Sequence, residues 1–264
     1  MADGSIARVF VFYARLVRRA KRTKVFAVLC LLPVLLALIL RASALASPDR
    51  GFDGLAIFGN IIIAFGLQFL VLILALFYGT SVVSEEVEGK TLTYITTRPL
   101  PKRAVILGKY AAYVLVLLIL VLGSILAAFF ILNADRLDYG PAWSFLGKSL
   151  AALSLGVVCY TAFFTLVGTF LKKSVLFGFF FGFGWENIVQ YFPGSTQKFT
   201  IMHYLKSLLP GVGDTGGGVL SFLMFRLEPS PAGTAVATLL ALTAVFLGLA
   251  CWVFARKEYL FDEG

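Results

Sequence analysis

Long apolar runs separated by short polar stretches set the rhythm of this chain. Six of them approach or exceed the length of a membrane-crossing helix: residues 25–46, 55–83, 104–132, 149–171, 175–192 and 232–254. A helix needs about 20 predominantly apolar residues to traverse the hydrocarbon core. The fifth run is short, and the second and third are long enough to tilt or to project into water. None alternates with the two-residue period of a barrel strand. The pattern therefore predicts an all-α integral membrane protein, one transmembrane domain over residues 1–264 with six spans. Ahead of the first run, residues 4–24 follow a different period. Ile6, Val9, Phe10, Tyr13, Leu16 and Val17 recur at helical spacing against Arg8, Arg15, Arg18, Arg19 and Arg22. That is the pattern of a basic amphipathic helix lying in the membrane interface, its cations reaching anionic lipid headgroups.

Composition agrees. Apolar residues make up 59% of the chain, charged residues 14%, and the mean hydropathy is +0.91. A soluble domain sits near 45–50% apolar and about 25% charged. The net charge of +9 raises the question of a nucleic-acid partner. The distribution of the basic residues answers it: with a cytoplasmic N-terminus, 16 of them fall inside and 7 outside. This is the bias of the positive-inside rule, so no nucleic acid is needed and both termini are expected in the cytoplasm. No small-residue cleavage site closely follows the first run, which reads as a retained anchor. Cys30, Cys159 and Cys251 lie singly in apolar runs and read as small buried hydrophobes, with no metal role.

The most telling polar stretch lies between the second and third runs. Ser84 is followed by Glu85, Glu86, Val87, Glu88, Gly89, Lys90, Thr91, Leu92, Thr93, Tyr94 and Ile95, then by Arg98, Pro99 and Pro101. So short a loop cannot fold alone, and its clustered carboxylates must face water, headgroups or a partner. Ser84 is expected as the N-cap of a new helix, with the glutamates in its first turn. Residues before proline leave the helical region, so Arg98–Pro101 ends that element, and Pro101 suits the first position of the next helix.

Glu85-Glu86-x-x-Gly89-x-Thr91-Leu92, followed by Arg98-Pro99 and the basic pair Lys102-Arg103, resembles the permeases of the ABC type-2 exporter class. The likeness extends over the chain: amphipathic N-terminal helix, six spans, a long outer segment at 193–231 and a short basic tail at Arg256-Lys257. Lys90 departs from the pattern, where a small or acidic residue is more usual. The resemblance implies a permease subunit, with no catalysis of its own, in a prokaryotic plasma (inner) membrane. It would pair with a second permease subunit, identical or different, and with cytoplasmic ABC ATPase subunits that bind ATP and Mg. It also implies that the 84–97 loop is the coupling helix, with Glu85, Glu86, Glu88, Gly89, Thr91 and Leu92 docking on the ATPase. The first and fifth spans would lie near the dimer interface and the substrate path.

The chain itself offers no nucleotide site. Gly89-Lys90-Thr91 ends like a phosphate-binding loop, but Ser84 stands where the first glycine belongs and the glutamates between would repel phosphate. A stand-alone transporter or channel is an alternative. So is an intramembrane protease of the CAAX type, for which Glu85-Glu86 with Lys90, and Phe199 with His203, are near-matches. His203 is the sole histidine, however, and the topology puts it across the bilayer from Glu86. Glu186 is the one acid well inside a predicted span. With Asn187 it marks a possible translocation path, the alternative being a helix end from which it snorkels beside Trp185. Gly178 and Gly182 give the same span a small-residue groove for close packing.

Overall fold

In lipid every backbone N–H and C=O must be satisfied within the protein, which apolar runs of this length achieve by forming helices. The computed structural model describes residues 2–46, 53–88, 102–136, 140–171, 173–189, 195–209 and 230–256. All regular structure among them is helical. In chain order the helices are α1 (Ala2–Arg19), α2 (Lys21–Ala46), α3 (Gly54–Ser84, its helical backbone continuing to Glu88), α4 (Lys102–Leu132), α5 (Gly140–Phe170), α6 (174–188), α7 (Ile201–Ser207) and α8 (Ala232–Arg256). Five of these, α2, α3, α4, α5 and α8, are long and apolar enough to cross a membrane.

α3 and α5 form the buried centre, and α2 and α8 are the least covered. Gly59 meets Phe145, Gly66 meets Leu153, Gly79 meets Phe164 and Thr80 meets Gly168, pairs 85 to 88 residues apart. A constant offset means that α3 and α5 run parallel. α1 lies along α4, with Val9 and Val17 buried, while Phe12 and Leu16 stay exposed beside the exposed Arg8, Arg15 and Arg19. Leu16 thus leaves the protein-facing stripe and joins an outward apolar flank. α2 breaks at Cys30–Leu31 because Pro33 has no N–H to give to the carbonyl one turn back.

The fifth segment differs most from the hydropathy pattern. Residues 174–188 are helical, and only Ser174–Trp185 are continuously apolar. At 1.5 Å per residue, 174–188 reach roughly 22 Å, short of the ~30 Å hydrocarbon core. Gly178 packs on Leu76, and Gly182 packs on Leu72 so closely that an added Cβ would sit 2.5 Å away. α6 therefore runs antiparallel to α3, and one further turn brings Glu186 level with Gln68, about midway along α3. At that level both helices are π-wound, over Gly66–Val71 and Phe180–Trp185. Such turns widen a helix and cluster at functional sites.

Candidate functional site

Two regions hold the residues singled out by sequence. The first is the end of α3. Ser84 is not an N-cap: the helix runs straight through it, and its hydroxyl donates to the Thr80 carbonyl at 2.9 Å. Inside an apolar helix a serine does better returning its proton to the preceding turn than starting a new one. Glu85, Glu86 and Glu88 therefore occupy the last turn of α3 rather than the first turn of a new helix. Gly89, Thr91 and Leu92 lie outside the described residues, as do Lys90, Arg98, Pro99 and Pro101.

Just inward of this end, a belt of cations and aromatic rings joins four helices. The Thr23 hydroxyl donates to the Val17 carbonyl at 2.6 Å and shares a 2.8 Å hydrogen bond with the Tyr78 hydroxyl. The Arg22 guanidinium lies 4.5 Å from the Tyr78 ring centroid and 5.6 Å from that of Tyr113. Lys109, buried in α4, sits 5.0 Å from the ring of Tyr13 and 5.6 Å from Tyr113. Cations over ring faces keep favourable electrostatics where water is scarce. α1 and α2 are thus fastened to α3 and α4, the two helices that flank the acidic loop.

The second region is the middle of the bundle. Glu186 is 1% exposed, so it does not snorkel outward, although its neighbour Trp185 is exposed. The backbone N–H groups of Ile201 and Met202, in the first turn of α7, donate to its two carboxylate oxygens at 3.3 and 3.2 Å. The next N–H, of His203, donates to the Thr200 side chain at 3.2 Å. A helix N-terminus carries partial positive charge, and a carboxylate is its natural complement. Lys206, also buried, adds an attractive charge, and the buried Tyr160 hydroxyl of α5 interacts with the carboxylate electrostatically, outside hydrogen-bond geometry. On the other side of α7, His203 Nε2 and Ser230 Oγ lie 3.0 Å apart, and the Ser230 N–H donates to Ser207 Oγ at 3.1 Å. Asn187 follows Glu186 in the same helical turn.

α7 therefore lies against α5 and α8 near the middle of the bundle. Leu205 reaches Gly156, beside Leu67 and Val71 of α3. Glu86 is 15 residues beyond Val71 on the same helix, roughly 22 Å along the axis. Glu86 and His203 cannot share one water-activating centre, which disposes of the protease-like pairing. Arg22, Tyr78, Lys109 and Tyr113 of the belt, and Tyr160 and Lys206 beside Glu186, are functional candidates without a motif. For all but Arg22, which lies in the basic stretch ahead of the first apolar run, the one signal in the sequence is a cation or hydroxyl inside an otherwise apolar run.

A family model described as an ABC-2 family transporter protein matches residues 14–259. No curated protein matches the chain.

Proposed function

This chain belongs to the ABC-2 transporter family, and from that premise we propose that it is the permease subunit of an ATP-driven exporter, working with separate ATPase subunits. The observation that carries the reading is that the membrane-length helix α3 continues past Ser84 through Glu85, Glu86 and Glu88, three acids within one helical turn. Acids so placed, at the end of the bundle where the basic residues gather, are suited to arginines on a cytoplasmic partner. ATP and Mg would be bound by that partner. Glu85, Glu86, Glu88, Gly89, Thr91 and Leu92 form the docking surface, and the basic bias puts this end and both termini in the cytoplasm.

In this reading the chain crosses the membrane six times, the fifth crossing being composite: α6 climbs to mid-depth and the segment through α7 completes it. α1 lies in the interface, its Phe12–Leu16 flank in the acyl boundary and its arginines at the headgroups. A second permease subunit, identical or different, covers part of the exposed apolar surface of α2 and α6. Closure of the ATPases on ATP pushes the end of α3, and the belt makes α1 and α4 follow, rocking the bundle as a body. Glu186 and Asn187 stand beside the path. Broken helices at mid-depth, buried in protein, are where transporters place such machinery.

The test is co-purification in detergent with the ATPase encoded in the same gene neighbourhood. The ATPase is expected to accompany the wild-type chain and to be lost from the Glu85→Ala/Glu86→Ala double variant. Absence of any ATPase from the wild type would leave a stand-alone transporter as the better reading.

A further inference from the structure

Residues 4–24 hold seven cations and no acid. Arg22 is turned inward, over the rings of Tyr78 and Tyr113. Arg15, Arg18, Arg19, Lys21 and Lys24, around the corner between α1 and α2, are exposed and form no ion pair among the described residues. Like charges three and four residues apart on a helix repel. Arg18 and Arg19 suit the C-terminal end of α1, but Lys21 and Lys24 stand at the start of α2, where the dipole favours acids. A counter-charge has to come from beyond these residues.

Apolar side chains stand beside the cations. Phe12 and Leu16 of α1, and Val25 and Val28 of α2, are all more than half exposed. A phosphate with acyl chains attached answers both halves of that surface, whereas a soluble acidic partner answers the first alone. The corner is also tightly mounted. Val9 sits so close to Gly108 of α4 that a Cβ there would lie 2.8 Å from its own. The Val17 carbonyl, next to Arg18, accepts from Thr23, whose hydroxyl is bonded in turn to Tyr78 of α3. Glu85 follows Tyr78 by seven residues on the same helix, roughly 10 Å along its axis.

We propose that the α1–α2 corner is a docking surface for an anionic phospholipid of the cytoplasmic leaflet, and that the docked headgroup sets the position of the acidic end of α3. The proposal rests on the permease reading, in which α1 lies in the interface, and adds lipid charge as a regulator of the end that meets the ATPase. Arg18 and Arg19 offer forked donors that match phosphate oxygens, and Lys21 and Lys24 add point charges. Zwitterionic lipid carries the same phosphate but cancels it with choline, so the corner discriminates by net charge. With an anionic headgroup in place the cations are neutralised and the corner stays seated on α3 and α4. Without it they repel one another and loosen the Thr23–Tyr78 link.

The test uses the full chain in phosphatidylcholine bilayers, without ATPase. A bimane on Leu16→Cys reports contact with trace phosphatidylglycerol or phosphatidylcholine carrying a quenching nitroxide on an acyl chain. Peptide mapping separates this label from Cys30, Cys159 and Cys251, all buried. A single cation near an anionic surface strengthens binding roughly fivefold, so the phosphatidylglycerol probe is expected to quench about fivefold or more better than the phosphatidylcholine probe. That preference is expected to survive Arg18→Lys/Arg19→Lys and to vanish in Arg18→Gln/Arg19→Gln/Lys21→Gln/Lys24→Gln. Should the glutamine variant fail to insert, the wild type at high salt gives the same comparison, its preference being screened away. A nitroxide on Ser84→Cys then reads the end of α3, and its motion is expected to be more restricted with phosphatidylglycerol in the bilayer than in phosphatidylcholine alone. Equal quenching by the two probes in the wild type would overturn the docking surface. Motion at Ser84→Cys indifferent to lipid charge would overturn the regulation. Since no ATPase is present, failure of the ATPase partnership leaves both results standing, and the two ideas fall separately.

Discussion

Single side chains carry the least legible part of this molecule. Glu186 stands out in the sequence because an acid inside an apolar run is unusual, but sequence spacing does not disclose that its partners are backbone N–H groups 15 and 16 residues further on. Glu186→Gln is expected to assemble normally and to lose transport about tenfold or more, because an amide has one oxygen where the carboxylate accepts from two α7 N–H groups. A vesicle transport assay beside size-exclusion chromatography checks this, and unchanged transport would remove Glu186 from the pathway. At the belt, Tyr78→Phe removes the Thr23 partner and keeps the ring under Arg22. It is expected to cost about 1 kcal/mol of stability. Tyr78→Leu, which also deletes the ring face, is expected to cost more, the order being read from thermal unfolding in detergent. Ser84 marks where local propensity misleads. Serine favours helix starts in water, but within an apolar helix its hydroxyl bonds the carbonyl of Thr80.

Among the elements, the long helices are legible because burial in lipid and burial in protein ask for the same apolar side chains. That equivalence also hides the fifth segment. Hydropathy alone does not separate a full crossing from a shorter apolar helix such as Ser174–Trp185, whose outward face is exposed. The Gly178–Gly182 groove is the part of this segment that spacing does reveal, and it seats α6 on Leu76 and Leu72 of α3. Gly182→Leu is expected to destabilise by about 1–3 kcal/mol through overpacking against Leu72. The comparison that checks it is the detergent melting temperature against Gly184→Leu, at a glycine with open space around it. Equal melting temperatures would mean that α6 is not seated by that contact. α1 is legible as an amphipathic helix, but its two apolar sides are not. Burial separates Val9 and Val17, which face protein, from Phe12 and Leu16, which face outward.

At the scale of the whole molecule, one helix links the acidic end to the buried carboxylate at the middle of the bundle. α3 carries both ends of this connection: Glu85, Glu86 and Glu88 at its terminus, and the Leu72 and Leu76 contacts that hold α6 and Glu186 at its centre. Family membership was legible from the Glu-Glu, Thr-Leu and Arg-Pro spacing because those residues sit in one contiguous stretch. The surroundings of Glu186 were not, because they are assembled from α5, α6 and α7. In the proposed coupling, force enters at the end of α3, and stimulation of ATP hydrolysis measures it most directly. ATPase activity of the purified partner is recorded alone, with the wild-type chain, and with Glu85→Ala/Glu86→Ala, all in lipid. The wild-type chain is expected to change the hydrolysis rate several-fold, and the double variant to return it to the value of the ATPase alone. A rate indifferent to the chain, or equally changed by the double variant, would contradict it.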